Sequence, residues 1–194
     1  MKLKNKIIEN ERIILSEDAV NVLGPNLVLR DCEIISEINN HRALIVAGVE
    51  MIGGSFYQKG TLSDEQWDTA IFTKVKFKGK LSGWDFGNWD EPDYINECDF
   101  SDAVLSDCRF LNCDISQLIF PKWPCFTIPA PSSKADQISK ISWTGNWKLT
   151  MRLYAENDKE CVAITGNVDD LIAENGGDKE DLKRKLSTIP GIIM

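Results

Sequence analysis

The side chains with the most chemistry to offer lie between Trp84 and Ile119. That window holds nine carboxylates (Asp85, Asp90, Glu91, Asp93, Glu97, Asp99, Asp102, Asp107 and Asp114) and one base, Arg109. Two carboxylates facing each other across a cleft at a fixed separation hydrolyse glycosides. The same groups turned outward make a concentrated negative field, which attracts a basic partner and repels nucleic acid. The chain carries −8 in all, and so does this window alone; the other 21 acids and 21 bases cancel. Indoles accompany the acids. Trp84 and Trp89 fall inside the window, and Trp67 precedes it. Rings among carboxylates suit a contact surface for Arg and Lys; they equally suit packing of loops onto a core. The residues expected to meet a partner are Asp85, Trp89, Asp90, Glu91, Asp93, Asp102 and Asp107.

Other chemistry is thinly represented. His41 is the one histidine and lies in the turn INNHRAL, with no evident Cys, Ser or Asp partner in the sequence. Cys98, Cys108 and Cys113 are spaced by 10 and 5 residues, unlike the close pairs of structural zinc sites. No glycine-rich phosphate loop of the required spacing occurs; Gly53-Gly54 and Gly176-Gly177 read as turns. No catalytic, cofactor-binding or metal-binding set is expected.

The window's own periodicity shows what must position it. Residues 98–120 read CDFSD AVLSD CRFLN CDISQ LIF. The third place of each block is Phe100, Leu105, Phe110, Ile115 and Phe120, and the first is Cys98, Ala103, Cys108, Cys113 and Leu118. A period of five fits neither an α-helix nor a simple strand. It fits a four-sided β-helix with about five residues per face, one large residue and one small residue pointing inward on each. Cys98-Asp99-Phe100-Ser101-Asp102 and Cys113-Asp114-Ile115-Ser116-Gln117 resemble the pentapeptide-repeat family, whose block is a small residue, Asp or Asn, Leu or Phe, then two polar residues. Ala103-Val104-Leu105 and Cys108-Arg109-Phe110 depart from it at the second position. The resemblance covers little more than one coil and implies a right-handed quadrilateral β-helix.

A second pattern recurs as Leu29–Ile34, Val46–Met51, Phe72–Phe77 and Leu105–Phe110 and is expected to mark one face of successive coils. Its separations of 17, 26 and 33 residues predict about four irregular coils with two polar insertions, Tyr57–Asp68 and Gly87–Asn96, standing out as loops. An antiparallel sandwich of short strands is the competing architecture. The expected fold is thus mainly β, a right-handed parallel β-helix with a small α+β C-terminal part.

Residues 1–120 are expected to form the solenoid with an N-terminal cap, residues 121–133 a proline-rich linker, and residues 134–194 the α+β part. Pro121, Pro124, Pro129 and Pro131 should break the ladder, with Trp123 and Phe126 sealing the open core. Ile141–Tyr154 alternates at Trp147, Leu149, Met151 and Leu153 and predicts a hairpin about Thr144-Gly145-Asn146. Glu160–Ile164 reads as a further strand. Asn167 and Asp178 are expected helix caps, the second helix ending near Leu186 with Lys183, Arg184 and Lys185 suited to its dipole.

The chain has no run of 18 apolar residues and no apolar segment at its N-terminus, so a cytoplasmic protein without a membrane segment is expected. Its six cysteines are expected as buried reduced thiols. A rigid surface, projecting loops and a local negative field describe a non-catalytic protein-binding module. The most concrete version is a bacterial immunity protein that neutralises a basic partner, a toxin or nucleic-acid enzyme, without itself binding nucleic acid. The family resemblance implies an alternative, a gyrase-binding DNA mimic. A third expectation is a carbohydrate-active β-helix enzyme, which would line a concave groove with its acids.

Overall fold

The structure, a computed structural model, describes residues 1–67 and 69–194. Asp68, the last residue of the first expected insertion, lies outside the described residues. The chain winds first into a parallel β-solenoid of about five turns. Turn one is β1 (Lys2–Leu3), β2 (Lys6–Glu9) and β3 (Arg12–Leu15). Turn two is β4 (Asn21–Leu23), β5 (Leu27–Arg30) and β6 (Glu33–Ser36). Turn three is β7 (Leu44–Val46), β8 (Val49–Ile52) and β9 (Ser55–Gln58). Turn four is β10 (Ala70–Thr73), β11 (Lys76–Ser82) and β12 (Asp85–Gly87); turn five is β13 (Ile95–Asn96), β14 (Asp99–Ser106) and β15 (Cys108–Leu111). Equivalent strands stack in parallel. Sheet I is β1-β4-β7, sheet II is β2-β5-β8-β10-β13, sheet III is β3-β6-β9-β11-β14, and sheet IV begins with β12-β15.

Residues in the left-handed backbone conformation turn the corners. Between sheets I and II they are Asn5, Asn26 and Gly48. Between sheets II and III they are Asn10, Asp31, Gly53, Lys74 and Glu97; leading into sheet IV they are Asp64, Gly83 and Asp107. Gly, Asn and Asp enter this region at the least steric cost. In the first three turns consecutive corners fall five residues apart: Asn5 to Asn10, Asn26 to Asp31, Gly48 to Gly53. The five-residue period is therefore also a corner period.

Between corners, alternation sends one side chain in and the next out. On sheet III the inward column is Ile13, Ile34, Phe56 and Phe77 by register. Phe77 and Phe100 continue it, with stacked rings 4.6 Å apart. Sheet IV adds Phe86 and Phe110, stacked at 5.3 Å, and Phe120 closes the column 5.0 Å from Phe110. Of the ten positions in the five-residue run, Cys98, Phe100, Ala103, Leu105, Cys108, Phe110, Leu118 and Phe120 are buried; Cys113 and Ile115 are half-buried. Asp99 bridges to Ile119 one turn on, so this last turn closes in 20 residues. Earlier turns along sheet II take 21, 22, 21 and 23.

Several expectations need correction. Leu29–Ile34 and Phe72–Phe77 do occupy the same corner, but Val46–Met51 spans the corner between sheets I and II, and Leu105–Phe110 the corner into sheet IV. An apolar-x-x-small-x-apolar string marks any corner of such a coil, so it does not specify which. The first insertion does not stand out. Leu62 and Trp67 are buried, the Trp67 ring lies 5.1 Å from Phe56, and Ser63 and Gln66 bridge to Ser82 and Asp85 of the next turn. Trp84 is likewise core, 5.2 Å from Trp67, and its indole donates to the Leu62 carbonyl at 3.3 Å.

The expected hairpin at Ile141–Tyr154 is largely a helix. Ahead of it come β16 (Cys125–Pro129) and α1 (Ala135–Lys140); then follow α2 (Trp147–Ala155), β17 (Cys161–Asn167), α3 (Val168–Asn175) and α4 (Lys179–Leu186). Helical spacing buries Trp147, Met151, Tyr154 and Ala155 on one face of α2. The alternate residues that suggested a strand, Leu149 and Leu153, are 50% and 54% exposed. Strand β17, the cap at Asn167 on α3 and the cap at Asp178 on α4 lie where the sequence places them. The proline-rich stretch contains a strand. β16 pairs antiparallel with β17, which pairs antiparallel with β15, extending sheet IV beyond the solenoid. Phe126 and Trp123 pack in a second core between this extension and the helices, whereas Leu118 and Phe120 belong to the solenoid core.

Lys74 and Glu97 are the corner residues whose long side chains gain nothing in the left-handed region. Their exposed contact, 3.6 Å between Nζ and Oε2, compensates little. Lys74→Gly is expected to stabilise the fold by about 1 kcal/mol, and Lys74→Val to destabilise it by about 2 kcal/mol. Urea unfolding midpoints of the three proteins check this order.

Candidate functional site

Sequence proximity overstates the negative field, because parallel stacking sets acids of one turn against bases of the neighbouring turn. Asp102 and Asp99 on β14 reach Lys76 on β11 at 2.8 and 3.4 Å. The hydrogen bond that Lys76 donates to Asp102, aided by the charges of Asp99 and Asp102, raises the ammonium above its usual pKa. Glu97 lies against Lys74, and Lys80 reaches Asp170 on α3 at 2.8 Å. Lys74 and Lys76 of the fourth turn therefore offset part of the charge of Glu97, Asp99 and Asp102 in the fifth.

Asp85, expected at the surface, is 4% exposed. It stands opposite Arg109 in the β12–β15 register and accepts two hydrogen bonds from that guanidinium, both 2.7 Å. The bidentate bond raises the Arg109 pKa against the opposing effect of burial. Asp85 is thus spent inside the protein and is withdrawn from the contact set. Arg109 in turn lies 5.1 Å over the Trp89 ring. Asp107 is also committed. It is a left-handed corner residue, half-buried, whose carboxylate accepts the Tyr154 hydroxyl of α2.

What remains is the loop of residues 88–94, which carries Trp89, Asp90, Glu91 and Asp93 together. Its three carboxylate residues are exposed and make no ion pair among the described residues. The loop backbone is held in place. Asn88 Oδ1 accepts from the Asp90 and Glu91 amides at 2.8 and 2.9 Å. Asn112 Nδ2 donates to the Asn88 and Trp89 carbonyls at 2.9 and 2.7 Å. Asn96 Nδ2 donates to the Asp93 carbonyl at 2.7 Å, and Tyr94 donates to Glu91 at 3.0 Å. Asp93 itself adopts the left-handed conformation. Asx-type bonds of this kind fix the direction of short polar segments. Of the seven expected contact residues, the structure groups these four, sets Asp102 on sheet III and buries or ties Asp85 and Asp107. Arg109, Asn88 and Asn112 are the positioning residues that sequence reasoning missed. The signal available for Arg109 was its isolation as the window's lone base, 24 residues, one turn, after Asp85.

His41 Nδ1 meets Glu65 Oε1 at 2.6 Å, and Glu65 also accepts from the Trp67 indole at 2.9 Å. Among the described residues no group of three His, Cys, Asp or Glu side chains is placed to hold a metal ion. No helix of the described residues is long and apolar enough to cross a membrane. The cysteines are free thiols. Burial pushes Cys98 and Cys161 up to about 11, and Cys108 and Cys113 up to about 12. Compared with family models, with curated proteins and with solved structures, the chain matches none.

Burial, and then the charge of Asp107 and its hydrogen bond, raise the Tyr154 hydroxyl well above its usual pKa. A raised folded-state value means the associated stability is complete below the unfolded value, about 10, and is lost as pH climbs past it. Tyrosinate absorbance should therefore show one of the three tyrosines ionising only as the protein unfolds. Tyr154→Phe should remove that step and lower stability by about 1–3 kcal/mol through the orphaned Asp107 carboxylate. A thiol reagent at pH 8 should react slowly with the native protein and find all six cysteines after denaturation.

Proposed function

We propose that the protein is a non-catalytic, stoichiometric binding module, most concretely a cytoplasmic bacterial immunity protein that neutralises a basic toxin. The observation that carries this reading is the 88–94 loop. It offers three exposed carboxylates and an indole on a backbone held by five Asn-mediated hydrogen bonds and an anchored Arg109. A preset acidic surface speeds encounter with a basic protein and loses little entropy on docking. Trp89 supplies the apolar ring that such a contact centres on.

We carry the pentapeptide-repeat resemblance to the last turn, which closes in 20 residues and buries eight of the ten residues of that pattern. A gyrase-binding DNA mimic would need a continuous acidic stripe. Lys74, Lys76 and Lys80 interrupt the acids of sheet III, which favours the local loop over the stripe. A carbohydrate-active groove along the same face would need free carboxylates where Asp99 and Asp102 hold Lys76.

Capture on the tagged protein from its native cells, with graded salt washes and mass spectrometry, tests the reading. A single basic, stoichiometric and salt-sensitive protein is expected. Reversal of Asp90, Glu91 and Asp93 to Lys should slow its association on the order of ten- to a hundredfold at low salt and flatten the salt dependence. The same partner binding that triple variant at an unchanged rate would sink the assignment of the loop.

A further inference from the structure

A cavity of about 450 Å³ opens between α1 and α2, and residues 135–156 form all of its lining. Its walls are mainly apolar. Ile138 and Ala155 are buried there, Trp143 is half-buried, and Leu149 is half exposed. Cavities of this size with apolar walls and a few polar groups take small ligands. Trp143 is fixed in place. Its indole donates to the Ile138 carbonyl at 2.9 Å, and its ring stacks 6.5 Å from Trp147, which is buried and donates to the Gly176 carbonyl. These contacts set the start of α2 beside the later half of α1. Along α2 the cavity runs from Lys148 to Glu156, about 12 Å at helical rise. Residues 141–146 fold α1 back against α2, so Asp136 falls toward the Glu156 end. Arg152 and Glu156 pair with each other at 3.3 Å. Lys148 at one end and Asp136 at the other keep no ion pair among the described residues.

We infer that this cavity binds a short free peptide with apolar side chains. The ligand must match an apolar trough with one charge of each sign, set apart at its two ends. A free peptide carries that pattern on its own termini. An extended chain advances about 3.5 Å per residue, so three residues span about 10 Å, close to the length of the trough. Its carboxylate then meets Lys148 and its ammonium meets Asp136, while apolar side chains lie against Trp143 and Leu149. The apolar contact supplies most of the affinity. Exposed charges contribute little each, but they set the direction of the peptide and select free termini over the interior of a longer chain.

Titration of the isotope-labelled full chain with leucyl-alanyl-leucine, up to about 10 mM, tests this through amide and indole chemical shifts. Saturable shifts at the Trp143 indole and at Leu149 are expected. Amidating the peptide's carboxylate or acetylating its amine should each weaken binding roughly two- to fivefold at low salt. Lys148→Ala should erase the effect of amidation, and Asp136→Asn that of acetylation. Leu149→Asp changes an exposed position, so circular dichroism should hold while binding weakens at least roughly tenfold. No saturable shift at Trp143 up to the highest concentration would overturn the inference. So would equal binding of the free and the doubly capped peptide, or terminal effects that survive both charge variants.

Discussion

At least one residue at each of these corners must sit in the left-handed backbone region, and the rest of the molecule depends on it. The turn from β2 to β3, and its equivalents up the coil, is made at Asn10, Asp31, Gly53, Lys74 and Glu97. Each such residue bends the chain between two flat strands without a loop. The strands can then stack in register, and stacking decides everything inside and outside the wall. Inside, Phe56, Phe77 and Phe100 fall one above another. Outside, charges of one turn meet those of the next: Arg12 with Glu33, Arg30 with Glu9, Lys76 with Asp99. Individually these exposed pairs contribute little stability. Their consequence is electrostatic, because pairing such as Lys76 with Asp99 lowers a field that the linear sequence concentrates.

The loop of residues 88–94 escapes this cancellation for a topological reason. It leaves the coil after β12 and returns at β13, and so has no strand of a neighbouring turn beside its carboxylates. Its support comes from below. Buried Asp85 fixes Arg109, Arg109 lies over Trp89, and Asn112 holds the backbone of Asn88 and Trp89. Removing one member of a buried ion pair strands the other charge. Asp85 and Arg109 are therefore coupled to the loop although the carboxylate is buried and the guanidinium is engaged by it. The C-terminal part joins the same framework, since β17 adds to β15 and Tyr154 bonds to the corner residue Asp107.

Much of the fold was legible in the sequence, and the reasons are particular. The five-residue run from Cys98 to Phe120 gave the inward positions because the last turn is the most regular one. The caps at Asn167 and Asp178 were readable because side-chain capping is a local interaction. The Asn, Asp and Gly corners at Asn5, Asn10, Asn26, Asp31, Gly48 and Gly53 carried the turn length plainly, yet Lys74 and Glu97 hid its continuation. The segment from Trp147 to Tyr154 was ambiguous. Residues 147, 149, 151 and 153 alternate, while 147, 151 and 154 follow a helix, and tertiary burial chose the latter. The candidate site was legible as a region and not as a surface. Which acids are free depends on partners 20 or more residues away, as Asp85 with Arg109 and Asp102 with Lys76 show.

The central claim is that ladder pairing neutralises sheet III and leaves the 88–94 loop as the one preset acidic contact surface among the described residues. A titration of isotope-labelled protein with a short oligoarginine peptide, followed by backbone and indole chemical shifts, tests it most directly. The account predicts salt-sensitive shifts at Trp89, Asp90, Glu91 and Asp93, with Asp99 and Asp102 nearly silent. Shifts centred on Asp99 and Asp102, or spread evenly over the acids of the fifth turn, would contradict it.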